Sequence, residues 1–219
     1  PTFSCEIGML SAPLMRPEFV DNRSGNTMER ALIELLDGLR ATLRDPVDLA
    51  IASGIRAIHA ESIEELERIA VRVQTLGRKA VSVGIRLNPG VRADTHANVA
   101  TGHDEAKFGV PREDLPIALS VIKERRDQLN LVGLAIHVGS ALKTKTAYVD
   151  GARVLAEVGK AACAQGFGIR YLDTGGGFGV PMQAGDNPPP AMELVASARE
   201  VFAEHGLSPP RPVPYVLRG

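Results

Sequence analysis

Polar residues and glycines gather at the downstream ends of short apolar runs in this chain. Arg86 and Asn88 end the run that starts at Ala80, His137, Gly139 and Ser140 follow Leu131 to Ile136, and Asp173 with Gly175-Gly176-Gly177-Phe178-Gly179 follows Ile169 to Leu172. Three consecutive glycines after a strand leave the backbone free to take positive φ. Their N–H groups can then converge on one concavity and hold an anion, typically a phosphate; a plain turn is the alternative. A dinucleotide fingerprint fails on spacing, because Val180 and Met182 stand where glycine is needed, and no Gly-Lys-Ser/Thr follows for a P-loop. The Ser140 hydroxyl could share the phosphate. The flat ring of His137 could stack on an aromatic cofactor or serve as a structural residue. Arg86 suits a carboxylate or phosphate, or a structural ion pair. His59, His96, His103 and His205 share no metal-ligand spacing, and neither Cys5 nor Cys163 has a His or Cys partner at such spacing, so no metal is expected.

Alternating strands and helices must carry these residues. Residues 1 to about 26 read as irregular, and Thr27 can cap a helix running to Leu39. A short helix, Val47 to Ser53, leads through Gly54 to a strand, Ala57 to Ala60. Ser62-Ile63-Glu64-Glu65 has a capping-box pattern and opens a helix to about Leu76. A strand from Ala80 to Leu87 precedes a long loop over roughly 89–111. Then come a helix from about Glu113 to Asp127, a strand from Leu131 to Ile136, a helix from about Ala147 to Gln165, a strand from Ile169 to Leu172 and a helix from about Ala191 to Glu204. This alternation is the pattern of parallel βαβ units. Two architectures fit it, a doubly wound sheet and part of a (β/α)8 barrel. In either, the C-terminal ends of the strands share the ligand-binding face. A full barrel usually needs about 250 residues, and four units are about half of one.

Composition excludes more than it selects. The formal net charge of -1 over 219 residues gives no reason to expect nucleic acid or an acidic membrane as a partner. Lys123, Arg125 and Arg126 alternate with Glu124 and Asp127 and read as a solvated helix end. Two widely separated cysteines make a disulfide framework unexpected and a reducing cytoplasm the expected setting. No apolar run is long enough to span a membrane.

Three blocks of sequence resemble the fold-type III pyridoxal-phosphate decarboxylases, in particular the diaminopimelate decarboxylases. The first is Arg86-Leu87-Asn88-Pro89-Gly90-Val91, continuing through Thr95-His96 and Thr101-Gly102 to Lys107-Phe108-Gly109. The second is His137-Val138-Gly139-Ser140, and the third is Leu172-Asp173-Thr174-Gly175-Gly176-Gly177-Phe178-Gly179. The stretch Gly54 to Glu65 also resembles the preceding unit, and the likeness covers roughly residues 48–205. It implies a partial (β/α)8 TIM-like barrel of the alanine racemase type over residues 45–208, an unmatched segment 1–44 and a Pro-rich tail 209–219, without the family's C-terminal β-domain. It implies pyridoxal 5'-phosphate as cofactor, with His137 stacked on the pyridine ring, Ser140 and the amides of Gly175, Gly176 and Gly177 on the phosphate, and Arg86 beneath the ring. Lys107 would help organise the interface of a homodimer whose subunits share active sites. The implied reaction is decarboxylation of an amino acid, meso-2,6-diaminopimelate to L-lysine before ornithine, lysine, arginine or carboxynorspermidine.

The chain departs from that pattern in several places. Ala141 stands where diaminopimelate decarboxylases usually carry Gln. None of Lys79, Lys107, Lys123, Lys143, Lys145 or Lys160 stands in the motif of the family's Schiff-base lysine, which belongs on the barrel's first strand. The Glu-Pro-Gly-Arg block expected after the last helix is replaced by Pro214-Tyr215-Val216-Leu217-Arg218-Gly219. The resemblance therefore implies an inactive fragment of a decarboxylase, or a non-catalytic relative that binds cofactor or a partner.

Overall fold

The strands are short, and what they bury follows from side-chain alternation. A computed structural model describes residues 45–91, 108–183 and 185–207. The expected helix after Thr27, the segments 1–44 and 209–219, most of the expected loop and Lys107 lie outside the described residues. Four strands, β1 (Ile58–Ala60), β2 (Val81–Leu87), β3 (Leu129–Ile136) and β4 (Tyr171–Asp173), form one parallel sheet in the order β1-β2-β3-β4. A doubly wound sheet reverses its strand order at a switch point. Here every strand adds beside its predecessor in chain order, which is the arc of a barrel wall.

Among the described residues five helices connect or flank the strands: α1 (Pro46–Ala52), α2 (Ile63–Thr75), α3 (Leu115–Glu124), α4 (Thr146–Ala164) and α5 (Ala191–Glu204). The row Ala60, Ile85, Leu134 and Leu172 runs across all four strands in register and is buried. It joins Leu66, Ile69 and Val73 of α2, Leu119 and Ile122 of α3, and Leu155 and Ala162 of α4 in one apolar core. Burial of this kind stabilises by about 1.5–3 kcal/mol per large aliphatic side chain. Helix α1 is held to α2 by ion pairs from Arg68 to Asp45 and from Arg72 to the buried Asp48. The Arg68 guanidinium, with the Val47 amide, holds the Asp45 carboxyl below its usual range. A single 3-10 turn, Arg112–Asp114, precedes α3, so the helix expected from Glu113 starts two residues later.

The opposite side chains form the inner row, His59, Gly84, Gly133 and Tyr171, aligned by the same strand register. The Tyr171 ring lies over the two glycines, and its hydroxyl meets His59 Nε2 at 2.7 Å. A Cβ added at Gly133 would stand 2.1 Å from Tyr171 Cζ, and one at Gly84 would stand 2.9 Å from the Tyr171 hydroxyl. The tyrosine fits only because both positions lack side chains. Cys163, near the end of α4, is partly buried against the apolar core; Cys5 lies outside the described residues.

Candidate cofactor site

The next layer towards the C-terminal ends of the strands is charged. Arg86 aligns with Ala135 and Asp173 across the sheet. Arg86 Nη1 donates to Glu61 Oε1 at 2.6 Å, and Glu61 directly follows β1. Val110 returns the chain beside β2: its N–H donates to the Arg86 carbonyl at 2.8 Å, and its own carbonyl accepts from the Asn88 N–H at 2.9 Å. A Cβ at Gly109, whose φ is +89°, would stand 2.8 Å from the Leu87 carbonyl carbon. That close return carries Phe108 to the Arg86 guanidinium, 5.6 Å from its ring centroid. Glu61, Arg86, Phe108 and His137 line a half-open cavity of about 230 Å³. Sequence reasoning assigned Glu61 and Phe108 to the resemblance but gave them no role.

Beside the cavity, the loop after β3 crosses directly over the glycine run. Leu142 N–H donates to the Gly177 carbonyl at 3.0 Å, and Leu142 bridges to Phe178. A Cβ on Gly177 would stand 1.8 Å from the Gly139 carbonyl oxygen and 3.2 Å from Ser140 Cα. Gly175 and Gly177 take φ of +72° and +80°, so both need glycine for backbone shape as well as for closeness. A Cβ at Gly176, by contrast, meets no atom within 4 Å. The fold therefore brings Ser140 and Gly175 to Gly177 together, with open space in front of Gly176. Ala141, beside Ser140, adopts φ of 55°, the sole non-glycine residue with positive φ among the described ones. Such a conformation persists only where surrounding contacts enforce it.

The three glycine amides are not equivalent. Gly175 N–H donates to Asp173 Oδ1 at 2.8 Å and is thereby committed within the protein. Gly176 and Gly177 make no comparable donation among the described residues, and the space where a side chain at Gly176 would stand is open. Thr174 is buried beneath the run, with its Oγ1 2.6 Å from the Tyr148 hydroxyl. Burial raises the Tyr148 phenol, so it stays protonated as a hydroxyl partner. Tyr148 had no role in the sequence reading, because its pairing with Thr174 spans two strand–helix units.

These residues fit a phosphorylated aromatic cofactor on two counts that stand apart from any likeness: a backbone cradle that a side chain at Gly176 would fill, and an adjoining cavity with an imidazole and a guanidinium on its walls. A donor set of backbone amides and a hydroxyl suits a dianionic phosphate.

Comparison with known proteins agrees with this chemistry. Residues 41–211 match the family described as pyridoxal-dependent decarboxylase, pyridoxal binding domain. A probable chloroplastic diaminopimelate decarboxylase of Oryza sativa subsp. japonica is 34% identical over 193 residues, 84% of this chain and 39% of the rice protein. The diaminopimelate decarboxylase of Pseudomonas aeruginosa is 35% identical over 157 residues, 72% of this chain and 37% of that one. Among solved structures, diaminopimelate decarboxylase from Helicobacter pylori complexed with L-lysine superposes with a TM-score of 0.66 at 26% identity, covering 74% of this chain and 40% of that chain. The chain thus spans about two-fifths of the length of these relatives. From the sequential parallel sheet, the glycine cradle and the match over 41–211, the chain belongs to the pyridoxal-dependent decarboxylases, as a part of their pyridoxal-phosphate-binding barrel domain.

Proposed function

We propose that this chain is the cofactor-holding part of a decarboxylase that converts meso-2,6-diaminopimelate to L-lysine and carbon dioxide. The observation that carries the reading is the crossing of residues 139–142 over the glycine run, which brings Ser140 against Gly177, while Gly175 lies against His137 of the Arg86–His137 cavity. The printed names of the relatives support the choice of diaminopimelate. Pyridoxal phosphate, when bound, supplies an electron sink for the negative charge left on carbon as carbon dioxide departs.

The residues of this chain bind and orient. Ser140 would offer its hydroxyl to the phosphate, and the Gly176 and Gly177 amides would hold it without adding net charge. Asp173 fixes the first turn of the glycine run by accepting from the Gly175 amide. His137, on the cavity wall, would stack its imidazole on the pyridine ring. Arg86, countered by Glu61, places a cation in the cavity that suits an anionic group of cofactor or substrate. No lysine lines the cavity among the described residues, so in this reading covalent attachment of the cofactor falls to a residue outside them. Assembly as a homodimer with Lys107 at its interface, and a cytoplasmic setting, belong to the same proposal.

The test is equilibrium binding of pyridoxal phosphate, followed by cofactor absorbance and fluorescence, on the parent chain and on Gly176→Val. The valine fills the space in front of the cradle without meeting the protein, so the melting temperature should hold while affinity falls more than tenfold. Retained affinity in a folded Gly176→Val chain would reduce the run to a turn. In the protein made with everything its gene encodes, carbon dioxide release from meso-diaminopimelate should exceed that from ornithine, lysine or arginine. A reversed order would move the reading to another basic amino acid.

A further inference from the structure

Arg86 approaches the cavity on a long side chain that would sample many rotamers if nothing held it. Glu61 holds it, and Glu61 is itself held. Ser62 caps α2 by accepting the Glu65 N–H on Oγ at 3.1 Å, and Glu65 returns Oε2 to the Glu61 N–H at 2.6 Å. The return bond reaches the residue before the N-cap, a variant of the capping box, and the two bonds together satisfy two amide donors at the helix end. It also fixes the peptide from which the Glu61 side chain springs. From there Oε1 reaches the Arg86 guanidinium across the gap between β1 and β2. Phe108 flanks the guanidinium through a cation–π contact. Both charged side chains are part-buried, 27% exposed for Arg86 and 37% for Glu61, where such a pair is screened less than on an open surface.

We infer that Glu61 is a positioning residue for Arg86, anchored by the capping box of α2, so that the helix end sets the direction of the cation in the cavity. The inference rests on the cofactor-site reading for what Arg86 is aimed at, but not for the aiming itself. It adds a role for Glu61, which acts through Arg86.

The experiment labels the chain with phenylglyoxal, an arginine-specific dicarbonyl, and reads the rate at each arginine by peptide mass spectrometry. Glu61→Gln should raise the labelling rate of Arg86 severalfold while Arg72 and Arg125 stay at the parent rate. Glu67→Gln, which breaks the separate Arg125–Glu67 pair, should raise Arg125 and leave Arg86 alone. Glu61→Asp, which keeps the charge on a shorter arm, should fall between parent and Gln. Glu65→Ala should raise Arg86 labelling by less than Glu61→Gln, and no rise there would remove the helix from the inference. An unchanged Arg86 rate in Glu61→Gln, or a rise spread over all arginines, would overturn the positioning role. Repeating the parent measurement with added pyridoxal phosphate separates the two readings. Protection of Arg86 supports the cofactor site. Labelling indifferent to the cofactor, together with the selective rise in Glu61→Gln, would sink the cofactor reading and leave the positioning role standing.

Discussion

At the residue scale, the glycines of the sheet explain more than the residues that attract attention in the sequence. Arg86, His137, Ser140 and Gly175 to Gly177 stood out because they interrupt apolar runs, and the strand ends gather them on one face. Gly84 and Gly133 read as unremarkable small residues inside strands. Their purpose needs the register, since Tyr171 lies over both. Gly133→Ala drives a methyl into the buried Tyr171 ring, an overpacking that costs about 1–3 kcal/mol. The urea midpoint should fall accordingly. Adding Tyr171→Ala should cancel much of the alanine's cost, because the colliding ring is gone, so the two changes should be non-additive. Strictly additive losses would mean that the ring does not set the need for glycine. His59 belongs with this group: it read as structural, and its partner Tyr171 lies 112 residues on.

At the scale of elements, local signals fixed what local physics controls. The capping-box pattern at Ser62 to Glu65 placed the start of α2 correctly, because the bonds that define it lie within four residues. The end of α3 was read three residues too long. Arg125 leaves helical geometry, and Gln128 N–H turns back to the Arg125 carbonyl, which polar helix-tolerant residues there do not reveal. The strand order was open from the pattern alone, since alternation suits both a doubly wound sheet and a barrel arc, and the family likeness selected the arc that the sheet displays. For α2 the consequence is measurable. Ser62→Ala removes the acceptor of the Glu65 amide and should cost about 1 kcal/mol. Helix α3 has no side-chain cap, so Asp114→Ala should change stability by less than half as much. Equal effects in chemical denaturation would argue that the Ser62 bond contributes nothing beyond solvent.

At the scale of the whole molecule, the inner row ties the first strand to the last, and its two titratable ends give the fold a pH range. Burial lowers the His59 imidazole, with the charge of Asp173 opposing. The folded chain therefore prefers neutral His59. That contribution is complete above the ordinary value near 6.5 and is lost as pH falls below it. His59 is an exposed residue, so solvent screens the effect and its size stays well below that of a buried group. Tyr171 is pushed up to about 12, by burial first and Asp173 second, with Arg56 opposing. Its contribution is complete below about 10 and is lost as pH rises towards 12. Stability should thus hold a plateau between these limits and decline on both sides. The Asp45 carboxyl, held below its usual range by Arg68 and the Val47 amide, contributes on the acid flank. Comparing urea midpoints of the parent and His59→Gln from pH 7.5 to 5 isolates the imidazole: the parent should lose more stability than the variant across that interval. Tyr171→Phe should lose less than the parent between pH 10 and 11. Parallel parent and variant curves on both flanks would mean that the inner row stays open to water on both sides, and the picture of a tyrosine bridging the barrel wall over two glycines would have to be given up.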